Sequence, residues 1–228
     1  MSPRLKGQWK RWSLALAVLP LAGWMLFEAQ RTFRAEVATL AAREQVLRWL
    51  AADGVPKSAP GWETALQGLQ DGMILTPDDP ELRERMGDLY SIAGRADWNN
   101  TTLRNQHYKH AADWYESALE LRPGSAAAWA ALAASRQARG DSAVRVQEPW
   151  NRALRLGPFE GHVQPVLLQV VLVDWDNATP AMQSWAKTLF DRSEPAVKAQ
   201  INVLARYYGL AFSPEGAAAG AKNDPAPR

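Results

Sequence analysis

A short run of residue types recurs three times along this chain, and each copy ends in a proline: Pro77, Pro123 and Pro158. In the second copy Ala111, Tyr115, Ala118 and Pro123 stand at relative positions 0, 4, 7 and 12, and Trp129 and Leu132 follow six and nine residues after the proline. Spacings of four and three place the small residues and the ring on one face of a helix. The proline then ends that helix, because it lacks the N–H to continue it. The first copy holds Ala65, Leu69, Gly72 and Pro77 and runs on into Met86, Gly87 and Tyr90; the third holds Trp150, Ala153 and Pro158. Each copy reads as the second helix of a pair, with small residues where two helices cross closely and a large ring filling the hole opposite.

This pattern resembles the tetratricopeptide repeat (TPR), a helix hairpin with a period of ~34 residues. The resemblance implies an all-α solenoid, since one hairpin cannot bury its apolar face alone and must stack on its neighbours. Pro123 to Pro158 spans 35 residues, close to one period, whereas Pro77 to Pro123 spans 46, about 12 too many for a ~34-residue repeat. Residues 96–107, ADWNNTTLRNQH, account for the excess: without them MGDLYSIAGR joins YKHAADWYESALELRP in register. They are an insertion between the two helices of one repeat or an extension of those helices. Repeats are expected over 61–158, from Trp62 to Pro158. Residues 159–210 read as divergent capping helices, with Thr179 and Pro180 opening one, Pro195 opening the next and Gly209 stopping it. Residues 211–228, rich in Ala, Gly and Pro, are expected to be disordered.

The first thirty residues have a different character. Residues 1–11 carry Arg4, Lys6, Lys10 and Arg11 without an acid, and Trp12 to Phe27 is free of charge. That run is shorter than the ~20 residues that cross a bilayer comfortably, and it overlaps the length of a signal-peptide core. The residues after it, Leu26-Phe27-Glu28-Ala29-Gln30, lack a small-x-small cleavage site, which favours an uncleaved transmembrane anchor over 12–28. Lys10, Arg11 and Arg31 would snorkel, with Trp12 and Trp24 at the interfaces. The cation-only N-terminus places itself in the cytoplasm and the repeats across the membrane, in the periplasm of a bacterial inner-membrane protein. Residues 29–60 form a connecting helix and linker. Phe33, Val37, Leu40, Leu47 and Leu50 recur at helical spacings before Gly54, Pro56 and Pro60 break the pattern. This helix is either a stalk or dimerising seam, or a first helix packed on the repeats through that apolar face.

Composition narrows the chemistry. Twenty-six basic residues against 24 acidic leave no dense basic stripe, so nucleic acid is not an expected partner. There is no cysteine, hence no disulfide, thiolate metal site or cysteine nucleophile. His107 and His110 share a helix face with Asp113, but no further ligand lies near in sequence; neither metal nor cofactor is expected. Asp174 and Asp176 flank Trp175, the one hint of a carbohydrate-active enzyme with paired carboxylates, and equally an ordinary helix end. No phosphate-cradling loop or nucleophile elbow is present, so no catalytic residue is assigned.

What remains is the face lined in repeat folds by the first helix of each pair. The inward positions are Glu81, Glu84 and Asp88, then Ala127, Ala130, Ala134 and Gln137, then His162 and Gln169. That groove would be acidic at one end and smooth in the middle, suited to a partner helix; equally, the alanines let helices pack closely. The stretches WYESALELRPGSAAAWAALA (114–133) and PWNRALRLGPFEGHVQ (149–164), with Trp175, resemble the VpsP-type polysaccharide biosynthesis proteins, most particularly at Leu156 to Glu160. The resemblance covers roughly residues 12 to 210 and implies an anchored, non-catalytic TPR scaffold. Its partners would be other membrane or periplasmic proteins of exopolysaccharide assembly. Anchored TPR domains also serve cytochrome maturation and secretion complexes, the alternative expectation.

Overall fold

A computed structural model describes residues 3–51, 59–210 and 212, with side chains described from residue 18 to 51, 61 to 210 and at 212. Among them the fold is entirely α-helical, as expected. The helices are α1 (Pro3–Ala51), α2 (Ala59–Leu75), α3 (Pro80–Ala96), α4 (Thr101–Leu121), α5 (Ala126–Arg139), α6 (Ala143–Leu156), α7 (Val163–Val173), α8 (Pro180–Arg192) and α9 (Pro195–Tyr207). The chain divides into two compact units, Met1–Arg85 and Met86–Arg228.

In the first unit the expected span and connecting helix are one continuous helix with Pro20 inside it. At ~1.5 Å per residue α1 is roughly 73 Å long. No helix among the described residues is long and apolar enough to cross a membrane; much of the expected anchor, like Lys10, Arg11 and Trp12, falls where side chains lie outside the described set. Beyond residue 28 the helix packs on α2, but not through the face its large apolar residues suggested. Ala35, Thr39, Ala42 and Val46 are buried, whereas Phe33, Val37, Leu40 and Leu47 are exposed. The reason lies in α2: a Cβ built on Gly68 would sit 3.0 Å from Ala42 Cβ, and one on Gly72 only 2.1 Å from Thr39 Cγ2. Where Gly68 and Gly72 face α1 there is room only for small side chains, and Phe33, Val37, Leu40 and Leu47 are turned outward. The Thr39 hydroxyl is satisfied locally, donating to the Ala35 carbonyl at 2.8 Å. The first hairpin therefore begins in α1, ahead of Trp62.

Asp79 opens α3 by accepting from the Glu81 N–H at 2.8 Å, and its other carboxylate oxygen meets the Arg43 guanidinium at 3.3 Å. Residues 96–107 resolve into an extension. They form the last residue of α3, a turn in which the Asn100 N–H donates to the Asp97 carbonyl, and the first two turns of α4, with Asn100 Oδ1 capping the Leu103 N–H.

In the second unit hairpins stack in a repeat-like order. Each helix from α4 to α9 packs on the next; α5 also packs on α7, and α7 on α9. Ser91 of α3 lies 3.4 Å from Ser135 of α5, so the odd-numbered helices follow one another. The α3–α4 contact is built from two glycines and two tyrosines, each pair seven residues apart. A Cβ on Gly87 would lie 2.6 Å from the Tyr115 ring, and one on Gly94 3.0 Å from Tyr108. The larger core gathers Ala126, Ala130 and Ala133 of α5 with Trp150 and Ala153 of α6, Leu167 and Val171 of α7 and Phe190 of α8. Trp150 is buried edge-on to Trp185 at 5.1 Å, and its indole N–H donates to the Leu167 carbonyl at 3.1 Å. Gly140, at φ +86°, ends α5 in the left-handed conformation that a side chain resists, and the Asp141 N–H closes the turn on the Arg136 carbonyl. Thr179, Pro180, Pro195 and Gly209 mark the ends the sequence indicated for α8 and α9. Except for Phe212, the tail expected to be disordered lies outside the described residues.

Candidate functional site

The nine residues expected to line a groove fall in two units and are taken separately. In the first, Glu81 pairs with Arg85 one turn on at 3.5 Å, and Glu84 is half-buried. In the second, Asp88 is drawn inward: its Oδ1 accepts a 2.8 Å hydrogen bond from the Tyr115 hydroxyl, and the Ser91 hydroxyl lies 3.4 Å from the Tyr115 oxygen. Burial, and then the Asp88 charge, hold the Tyr115 phenol well above its ordinary pKa, so it stays a neutral donor. Asp88 thus fastens a hairpin rather than offering a free charge.

Along α5 the alanine reading is settled by burial. Ala130, expected on the open face, is 1 % exposed and belongs to the core with Ala126 and Ala133. Ala127 is half-buried, and Ala134 packs against the same core. The alanines let α5 lie between neighbours on two sides; Ala128 and Leu132 join Ala111, Ala112 and Tyr115 on the other. Gln137 borders a crevice of about 20 Å³ with Asp141, Val146, Asp174 and Met182, room for about one water. His162 and Gln169 are exposed, His162 beside Glu160 at 3.2 Å.

The residues assigned to repeat packing sit mostly as their types require. Ala111, Tyr115, Ala118, Leu132, Trp150 and Ala153 are buried, and Pro123 and Pro158 stand exposed just after their helices. Trp129 is half-buried: its indole N–H donates to the Pro123 carbonyl at 2.9 Å while the Arg152 guanidinium lies 5.4 Å over its ring. That ring ties down the turn it follows.

The chemical candidates are engaged in structure. His107 Nε2 lies 3.2 Å from Asp97, the Tyr90 ring stands 5.1 Å from His110, and Asp113 is held by Lys109 at 2.9 Å. No group of three metal-capable side chains occurs among the described residues. Asp174 ends α7 and accepts from Asn177 Nδ2 at 2.8 Å; Asp176 is exposed. The Trp175 ring meets Phe212 edge-on at 5.4 Å, with the Lys187 ammonium 5.7 Å away over its ring. These groups, with Phe190, Asp191 and Leu210, line a cleft of about 400 Å³.

The stretch expected as the membrane anchor has described side chains from residue 18 onward. From Val18 to Phe27 every residue is apolar and every one is exposed, Trp24 among them, and the series continues with Phe33, Val37, Leu40 and Leu47. Arg31, a proposed interface residue, pairs with Glu28 at 2.9 Å where the uniformly apolar stretch ends. For Phe33 to Leu50 the spacing left open a stalk or dimerising seam and a face packed on the repeats, and Phe33, Val37, Leu40 and Leu47 are not packed inward. The signal that would have turned them outward is the small-residue set of α2, Gly68 and Gly72, which leaves no room for anything larger. No family model and no curated protein matches this chain.

Proposed function

We propose that this protein is a membrane-anchored, TPR-like scaffold of the bacterial inner membrane. It would cross the bilayer once, hold its repeats in the periplasm, and bring together proteins of exopolysaccharide biosynthesis or export. The observation that carries the reading is the division of α1. Residues 18–27 expose apolar side chains on every side, an arrangement unfavourable in water and natural in lipid, while residues 35–46 are packed on α2. One helix thereby joins a lipid-seeking end to the α1–α2 hairpin of the first unit. The stack of hairpins in the second unit supports scaffolding: its charged groups are paired along and between helices, as Arg136 with Glu116 at 2.8 Å. The polysaccharide setting rests on the resemblance at 114–133 and 149–164.

Membrane fractionation followed by crosslinking and pull-down tests the reading. The protein should resist alkaline extraction, and a polysaccharide polymerase, flippase or export protein should be recovered with it. Extraction into the soluble fraction, or recovery of haem-handling or secretion proteins instead, overturns it. The double variant Asp174→Asn/Asp176→Asn should complement a deletion fully; a folded variant without function would overturn the non-catalytic reading.

A further inference from the structure

Counting outward along the exposed side of α1 reveals a period of seven: Leu19, Leu26, Phe33, Leu40 and Leu47. All five are solvent-facing, from 46 to 72 % exposed. Set at one heptad position, conventionally d, they place Val37 at position a, together with Gly23, Gln30 and Glu44. The residues buried against α2 then fall at the two opposite positions, Ala35 and Ala42 at f and Thr39 and Val46 at c. At 100° per residue the two stripes are roughly 160° apart. Helix α1 is therefore two-faced: small residues close the hairpin, and a strict seven-residue stripe of large residues faces away from it.

We infer that this stripe is the seam of a parallel two-stranded coiled coil formed with α1 of a second copy of the chain. A seven-residue repeat keeps its face in line only along a partner helix that supercoils with it. A second copy supplies the same repeat in register, so that Leu40 meets Leu40 and Leu47 meets Leu47. Outside the lipid-seeking stretch Phe33, Val37, Leu40 and Leu47 at ~100 Å² each supply about half of the ~800 Å² per partner of a stable interface, and Leu26 and Leu19 continue the same stripe toward the N-terminus. A lipid surface accounts for residues 18–27, which are apolar all round, but not for the one-sided stripe from Phe33 to Leu47. There the flanking positions carry Arg34, Glu36, Arg43 and Arg48. Glu44, at an a position, has its own counter-charge in Arg48 at 3.6 Å. Gln30 is a second polar a residue, so the seam is carried by its d positions and Val37, and polar a residues lower its stability.

The chain has no cysteine, so single cysteines report cleanly. In purified full-length protein in non-ionic detergent, mild oxidation should link Leu47→Cys to Leu47→Cys, and likewise Leu40→Cys. Thr32→Cys, exposed on the opposite face, should give at least tenfold less dimer. Leu40→Glu/Leu47→Glu should keep its helix content and shift the light-scattering mass from dimer to monomer. Three outcomes overturn the inference: no more dimer from Leu47→Cys than from Thr32→Cys, a monomeric mass for the unsubstituted protein, or efficient linkage of Phe33→Cys to Leu47→Cys, which would mean antiparallel chains. The test stands apart from the scaffold reading, because mass and disulfide pattern report pairing whatever the protein assembles.

Discussion

The α1–α2 hairpin and the α5–α7 core solve the same packing problem in opposite ways. In the first, Ala42 and Thr39 meet Gly68 and Gly72, and Phe33, Val37, Leu40 and Leu47 of α1 are left outside. In the second, the small residues lie on one helix, α5, and the large ones on its neighbours, Trp150, Leu167 and Val171, so the large residues go in. Close approach of two backbones is stabilised by many dispersion contacts of small groups; a wider spacing needs bulk to exclude voids. The difference teaches that an apolar stripe at helical spacing marks a face that wants a partner, without saying which partner.

Substitution of bulky residues should separate the two regions most sharply. Trp150→Ala removes a fully buried ring and the donor to the Leu167 carbonyl, and should cost about 3–5 kcal/mol in urea unfolding of the second unit. Leu40→Ala removes an exposed side chain and should change unfolding of the diluted monomer by less than about 0.5 kcal/mol. Comparable costs for the two would mean that α1 buries its large face after all.

Adding a single methyl group probes the tight contacts. Gly72→Ala drives a Cβ to within 2.1 Å of Thr39 Cγ2 and should destabilise by about 1–3 kcal/mol, despite the better helix propensity of alanine. Thr39→Ala removes that methyl, so the double variant should recover most of the loss, and a purely additive cycle would refute the close approach. Gly87→Ala should cost a similar amount, but there the obstacle is the Tyr115 ring at 2.6 Å, fixed at its far end by Asp88. Tyr115→Phe should therefore not rescue it.

Much of this architecture was legible in the chain. The helix ends at Pro77, Pro123, Pro158, Thr179, Pro195 and Gly209 follow from local backbone chemistry, which a sequence displays directly. Tyr115 and Trp150 were found because repeat spacing couples ring to small residue. The facing of α1 was not legible from α1 itself, since Phe33, Val37 and Leu40 have the spacing of a core face; the deciding residues, Gly68 and Gly72, lie in another helix. The groove misled for a related reason: Ala130 occupies an inward register position, but a helix packed on two sides has no free face there. Register gives direction, and burial depends on what stands opposite.

The smallest expected effect concerns charge, which shapes the α5–α6 turn where size shapes the α1–α2 contact. Arg139 Nε donates to Asp141 Oδ1 at 2.7 Å and a second guanidinium nitrogen donates to Oδ2. This hydrogen bonding, ahead of the opposing effect of burial, holds the Asp141 carboxyl below its ordinary pKa. A carboxyl with a depressed folded-state pKa contributes stability that is complete above the unfolded value of ~3.9 and is lost as pH falls through the folded value. Asp141→Asn should thus lower the urea midpoint at neutral pH by a modest amount and leave a shallower loss on acidification. The two proteins should converge in stability once the pH lies below both values. Because Arg145 lies 4.0 Å from the same carboxylate, Arg139→Gln should reproduce only part of the change. Parallel pH profiles for Asp141→Asn and the unsubstituted protein would show instead that Gly140 and the Asp141 backbone alone set the turn, making it as independent of charge as the glycine contacts of α2.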